Sequence, residues 1–110
     1  MAHIPTFDVL EYSLELIRNL RNTVDSPLVD HDLRSQLRRA ATSIALNISE
    51  GARRTGKDRL HHYRVAAGSA AEVRTALAIV IAWNDVDPTN LEHALELLDR
   101  ILAILWTLTH

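Results

Sequence analysis

An all-α fold, an antiparallel up-down-up-down four-helix bundle, follows from three features of this 110-residue chain. Apolar residues recur at intervals of three and four, the period of a helix with one buried face, and nowhere alternate as in a strand. Three punctuation points, Pro27 after Asp25-Ser26, Gly56 after Arg54-Thr55 and Pro88 after Asn84 to Asp87, divide the chain into four stretches of similar length. The connections between them are short, which makes consecutive helices antiparallel neighbours. The chain is read as one domain over residues 1–110, long enough to bury a core without disulfides or metal.

The first helix, about 6–24, places Leu10, Leu14, Ile17, Leu20 and Val24 on one face, with Glu11, Glu15 and Arg18 opposite. In the second, about 30–54, Asp30 is the expected N-cap and Leu33, Leu37, Ala40, Ile44, Ile48 and Gly51 form the stripe. Thr55 and Asp58 have capping-box spacing before the third helix, about 57–84. Its stripe is Tyr63, Ala66, Ala67, Ala70, Val73, Leu77 and Ile81. The fourth, about 88–109, opens on Asp87-Pro88, with proline at the first helical position. It carries Leu91, Leu95, Leu98, Ile101, Leu105 and Leu108 inward.

The third helix carries more apolar surface than one bundle core requires. A second stripe, Val65, Ser69, Glu72, Ala76, Ile79 and Trp83, runs along another side, and Ala76 to Trp83 is apolar all round. A helix of this kind is buried on more than one face. Ile79 and Trp83 are therefore expected at a contact between copies.

With no cysteine, the chain has no disulfide framework, thiolate metal site or cysteine nucleophile, which fits the reducing cytoplasm expected for it. Met1 to Thr6 has neither a basic nor an apolar signal-peptide region. The longest apolar run, Ala76 to Trp83, is short of a bilayer span, so no membrane association is expected. Net charge is only −2, but residues 34–74 hold nine of the twelve basic side chains and three of the fourteen acids. Such segregation is ordinary on solvated helices. It also suits either a polyanion or an acidic face of a neighbouring copy.

Ser43, Asn47, Glu50 and Arg54 share one edge of the second helix, and Ser69 and Glu72 on the third are placed to meet them. Buried amides and carboxylates need partners, so Ser43, Asn47, Glu50, Ser69 and Glu72 are read as a structural polar network. Gly51 and Gly68 are read as close-approach points between helices, since glycine inside a helix costs about 1 kcal/mol relative to alanine. No nucleophile accompanies a positioned base, and no glycine-rich phosphate loop is present. Catalytic and cofactor sites are therefore not expected. His61 and His62 are adjacent, about 100° apart on a helix, and no Glu-x-x-His occurs, so no metal site is expected. Both histidines are read as exposed neighbours of Arg59 and Arg64. Candidate phosphate-binding residues are Arg38, Arg39, Arg53, Arg54, Lys57 and Arg59, because guanidinium suits bidentate phosphate contact. Aromatic residues for stacking bases are scarce nearby.

The runs Leu37-Arg38-Arg39-Ala40-Ala41-Thr42-Ser43-Ile44, Asn47-Ile48-Ser49-Glu50-Gly51 and Ala67-Gly68-Ser69-Ala70-Ala71-Glu72 resemble the 23S ribosomal RNA intervening-sequence protein family of bacterial four-helix bundles. That family is also similar to the accessory protein of diversity-generating retroelements. The resemblance covers the whole chain and implies a homo-oligomeric ring of five bundles. For the retroelement relatives it further implies RNA or DNA binding through a basic surface and contact with a reverse transcriptase. The expected function is that of a non-enzymatic homo-oligomer, a nucleic-acid-associated accessory or scaffold protein. A protein-interaction module without nucleic-acid binding is the alternative.

Overall fold

The computed structural model describes residues 5–110, with side chains from Asp8 onward; the signal-peptide reading of Met1 to Thr6 falls largely outside the described residues. Four helices follow one another, α1 (Pro5–Val24), α2 (His31–Ala52), α3 (Gly56–Ala82) and α4 (Glu92–Thr109), and no strand occurs among the described residues. Each helix packs on its chain neighbours, and α1 closes the bundle against α4. Pairs between helices run in opposite order: Ser43 meets Ser69 while Asn47 meets His62, and Tyr12 meets Arg100 while Glu15 meets His93. Both packed pairs are therefore antiparallel. The 27 residues of α3 span about 40 Å at 1.5 Å per residue, which sets the 42 Å long dimension.

Local chemistry explains the helix ends. The Asp30 carboxylate accepts from the backbone N–H groups of Asp32 and Leu33 and starts α2. Asp87 accepts from Thr89, but the turn it caps, Pro88–Leu91, is a 3-10 segment, so α4 begins at Glu92 rather than at Pro88. The expected Thr55–Asp58 capping box is absent. Thr55 occupies the N-cap without a side-chain bond, Gly56 turns the chain at φ +58°, and Asp58 faces Arg54 instead.

The core is a single cluster drawn from all four helices, with Leu16, Leu37, Ile44, Ile48, Leu77, Leu98, Ile101 and Leu105 among its fully enclosed members. The predicted stripes of α2, α3 and α4 largely coincide with it. Leu33, Ala67, Ile81, Leu95 and Leu108 are half-buried at its margins, while Ala41, Ala76, Val80 and Leu97 join the interior. On α1 the expected stripe is rotated. Val9, Ser13, Leu16, Leu20 and Val24 point inward, while Leu10, Leu14 and Ile17 flank them, half-buried. A serine at the centre of an apolar face hides that face from a hydropathy reading. Ser13 is tolerated there because its hydroxyl donates to the Leu10 carbonyl at 2.7 Å.

Candidate basic corner and apolar face

The expected polar network divides in two. In its inner part, Asn47 Nδ2 donates to the Ser43 carbonyl at 2.9 Å and to Ser43 Oγ at 3.1 Å, and the two hydroxyls of Ser43 and Ser69 lie 2.8 Å apart. Those bonds turn Asn47 Oδ1 toward His62 Nδ1, 3.0 Å away. An amide oxygen only accepts, so Nδ1 carries the proton of that imidazole. His62 thus belongs to the α2–α3 seam and is half-buried, whereas the sequence reading left it exposed among arginines. Its spacing offered a signal: His62 lies one residue before Tyr63 and seven before Ser69, both turned toward α2. Glu72 does not join. It is exposed and makes no hydrogen bond or ion pair among the described residues.

Gly51 explains how the helices come so close at this end. A Cβ there would lie 2.6 Å from Tyr63 Cε1 and 2.8 Å from Cδ1, and Tyr63 is buried. Gly68 behaves differently: it is exposed, and a Cβ added there would have nothing within 4 Å, so it marks no close approach inside the chain.

Glu50 belongs to the outer part, a basic corner at the α2–α3 turn. Arg53 donates to Glu50 Oε1 at 3.0 Å, and Arg54 to Glu50 Oε2 at 2.9 Å. The Arg54 hydrogen bond holds the Glu50 carboxyl below its ordinary pKa; partial desolvation opposes it, and the positive charges of Arg53 and Arg54 reinforce it. The same pairing raises Arg54. Arg59 reaches back to the carbonyls of Gly51 and Ala52, at 3.1 and 3.2 Å, and so places a cation on the unsatisfied C-terminal end of α2. Lys57 is exposed and takes no partner among the described residues.

The structure separates Arg38 and Arg39 from that corner. Thirteen residues of helix lie between Arg39 and Arg53, which puts them about 20 Å apart along the axis. Arg38 sits 3.8 Å from Asp25 and lines a groove of about 610 Å³ between α1 and α2, together with Arg18 and Arg21. Arg18, expected on the face of α1 opposite its apolar stripe, and Arg21 fall outside the candidate phosphate-binding residues of the sequence. Their three-residue spacing puts them on one side of α1, but only the packing of α1 on α2 brings them to Arg38. Arg74, in the basic segment as well, is paired with Asp99 of α4.

Within the single chain the second stripe of α3 is largely uncovered. Trp83 is 74% exposed, Ile79 41% and Val65 37%, while Ala76 is buried and Ser69 half-buried. By length and composition α3 would suffice to cross a membrane, yet a third of its most apolar window is buried in the bundle. Val65 and Ile79 of the outer stripe belong to the exposed part of α3. No group of three or more His, Asp or Glu side chains placed to hold a metal occurs among the described residues.

The protein is an all-α four-helix bundle in which polar pairs such as Ser43–Ser69, Asn47–His62 and Glu15–His93 join helix to helix, with one apolar stripe open within the single chain. The chain belongs to the 23S rRNA-intervening sequence protein family, whose model matches residues 7–107. Nothing in that family description or in the all-helical fold suggests catalysis. Among curated proteins no match is found.

Proposed function

We propose that the protein is a non-enzymatic, cytoplasmic scaffold that assembles into a homo-oligomeric ring and associates with nucleic acid through repeated basic corners. The observation that carries the assembly is the open outer stripe of α3. A large exposed tryptophan beside an exposed isoleucine, on a helix already buried on its other side, leaves apolar surface in water that a neighbouring copy would remove. Burying it returns roughly 25 cal/mol for each Å² of apolar area.

Nucleic-acid association is supported by the family's ribosomal RNA description and by the corner formed by Arg53, Arg54, Lys57 and Arg59. Glu50 and Asp58 offset part of that charge, so one corner binds phosphate weakly. An oligomer repeats the corner, and weak contacts then sum by multivalency. The contact would be sequence-independent, since no aromatic platform accompanies it. Structured RNA and duplex DNA are the probes, titrated at roughly 50 and 200 mM salt. Four phosphate contacts predict a loss of about two orders of magnitude in affinity across that range.

The engaged state of Arg53, Arg54 and Arg59 favours a second reading, a protein-interaction module with no nucleic-acid role. In that case the partner is protein, a reverse transcriptase being one example. Absence of binding at the lower salt, with the oligomer intact, would decide for it.

A further inference from the structure

Among the described residues the large exposed apolar side chains are Leu28 in the α1–α2 loop, Leu46 on α2, Val65, Ile79 and Trp83 on and at the end of α3, and Trp106 on α4. Leu28, Ile79 and Trp83 meet at the end of the bundle that holds the α1–α2 loop, around a recess of about 730 Å³. Its rim is acidic, with Asp30, Asp32 and Asp85. Arg34 also lines it, and its Nε is shut off from solvent without an acceptor among the described residues.

At the same end, around the corner of α2, lies the groove of about 610 Å³ between α1 and α2. Its floor is apolar, from Leu20, Val24, Leu37 and Ala41, and its rim carries Arg18, Arg21 and Arg38 against the single acid Asp25. Arg18 and Arg21 have no ion-pair partner among the described residues. One surface carries the exposed apolar side chains Leu28, Ile79 and Trp83 beside its recess and is acid-rimmed. The other is apolar, concave and arginine-rimmed.

We propose that these surfaces are the two halves of one junction: the Trp83 corner of one copy seats in the Arg18–Arg21–Arg38 groove of the next. This inference rests on the self-assembling reading above and names the faces that carry it. The halves differ, so the contact is head-to-tail, and such a contact closes into a ring or climbs into a filament according to its geometry. Here both halves lie at the same end of the bundle, with Asp25 lining one and Pro27 the other. Successive copies then stand side by side with little displacement along the bundle axis, which is the condition for closure. A two-fold contact between Trp83 corners would set Asp30, Asp32 and Asp85 near their own copies and leave the groove open. Like charges so placed oppose association.

The junction also divides the basic residues by task. Arg38 goes to assembly, while Arg53, Arg54, Lys57 and Arg59, at the opposite end of the bundle, stay outside the contact. Arg38 was expected to bind phosphate; its place is between copies.

The test uses wild type, Trp83→Arg, and the double variant Arg18→Glu/Arg21→Glu, each checked for helicity by circular dichroism and for mass by light scattering. All the altered side chains lie on the surface. Wild type should be a multimer and each variant a monomer. An equimolar mixture of the two variants should form two-chain heterodimers and nothing larger, because only one intact knob and one intact groove remain per pair. A mixture that stays monomeric, or a double variant that keeps native mass, would overturn the junction while leaving self-assembly standing. A wild type that is monomeric at tens of micromolar would overturn the assembly reading itself. The cysteine-free chain permits a second measurement that does not depend on disruptive variants. Oxidation should crosslink Trp83→Cys copies to Arg21→Cys copies but not to each other; crosslinking among Trp83→Cys copies alone would show a two-fold contact and reject the proposal.

Discussion

The same substitution, glycine to alanine in a helix, is expected to act in opposite directions at two positions. At Gly68 a methyl group meets nothing within 4 Å, so the folded chain gains helix propensity, up to about 1 kcal/mol. At Gly51 it would stand 2.6 Å from Tyr63 Cε1 and 3.3 Å from His62 Cβ. Tyr63 is 3% exposed and held between helices, so relief requires moving a packed ring or parting α2 from α3. Overpacking of this kind costs roughly 1–3 kcal/mol. Gly51 also lies in the last turn of α2, where propensity offsets less of that cost. The difference between the variants largely cancels the propensity gain and isolates the steric term. For a domain near this size, 1–3 kcal/mol corresponds to roughly 4–15 °C in Tm. Thermal unfolding followed by circular dichroism measures it, with both variants in the Trp83→Arg background at one protein concentration, so that assembly does not enter. Equal stability, or a Gly51→Ala variant more stable than Gly68→Ala, would refute the close approach at Gly51.

Three further outcomes are expected. Asn47→Leu removes the amide that bridges Ser43 and His62 and should cost about 1–2 kcal/mol in urea unfolding, with loss of the protected His62 Nδ1 proton from the NMR spectrum; an unchanged spectrum would place His62 outside the seam. Arg59→Met keeps a long apolar stem but leaves the Gly51 and Ala52 carbonyls without their cation, for a loss of roughly 0.3–1 kcal/mol that high salt should diminish. Glu50, with its folded pKa below the ordinary 4.5, contributes stability that is fully present above that pH and is lost as pH falls through the lower folded value. The stability gap between wild type and Glu50→Gln should therefore close on acidification; a gap that persists at low pH would mean that the charge is not what Glu50 contributes.

Periodicity and punctuation determined most of the architecture. A helix presents residues three and four apart on one side, so the stripes of α2, α3 and α4 could be read before any contact was known, and Asp30 announced its cap through side-chain chemistry that acts within three residues. The surplus stripe ending at Ile79 and Trp83 was legible for the same reason, as apolar spacing on a second side of one helix. Tertiary packing decided what periodicity cannot express. Ser13 became a core residue because its own backbone satisfies its hydroxyl, and so turned α1 away from its expected face. His62 was drawn into the seam by an amide fifteen residues away, while Glu72, at suitable spacing, has no partner among the described residues. One run of basic residues was parted by helix geometry into a corner held by Glu50 and a groove shared with Arg18 and Arg21 of another helix. Spacing along a chain specifies which side of its own helix a residue occupies; which charges meet depends on the other helices packed beside it.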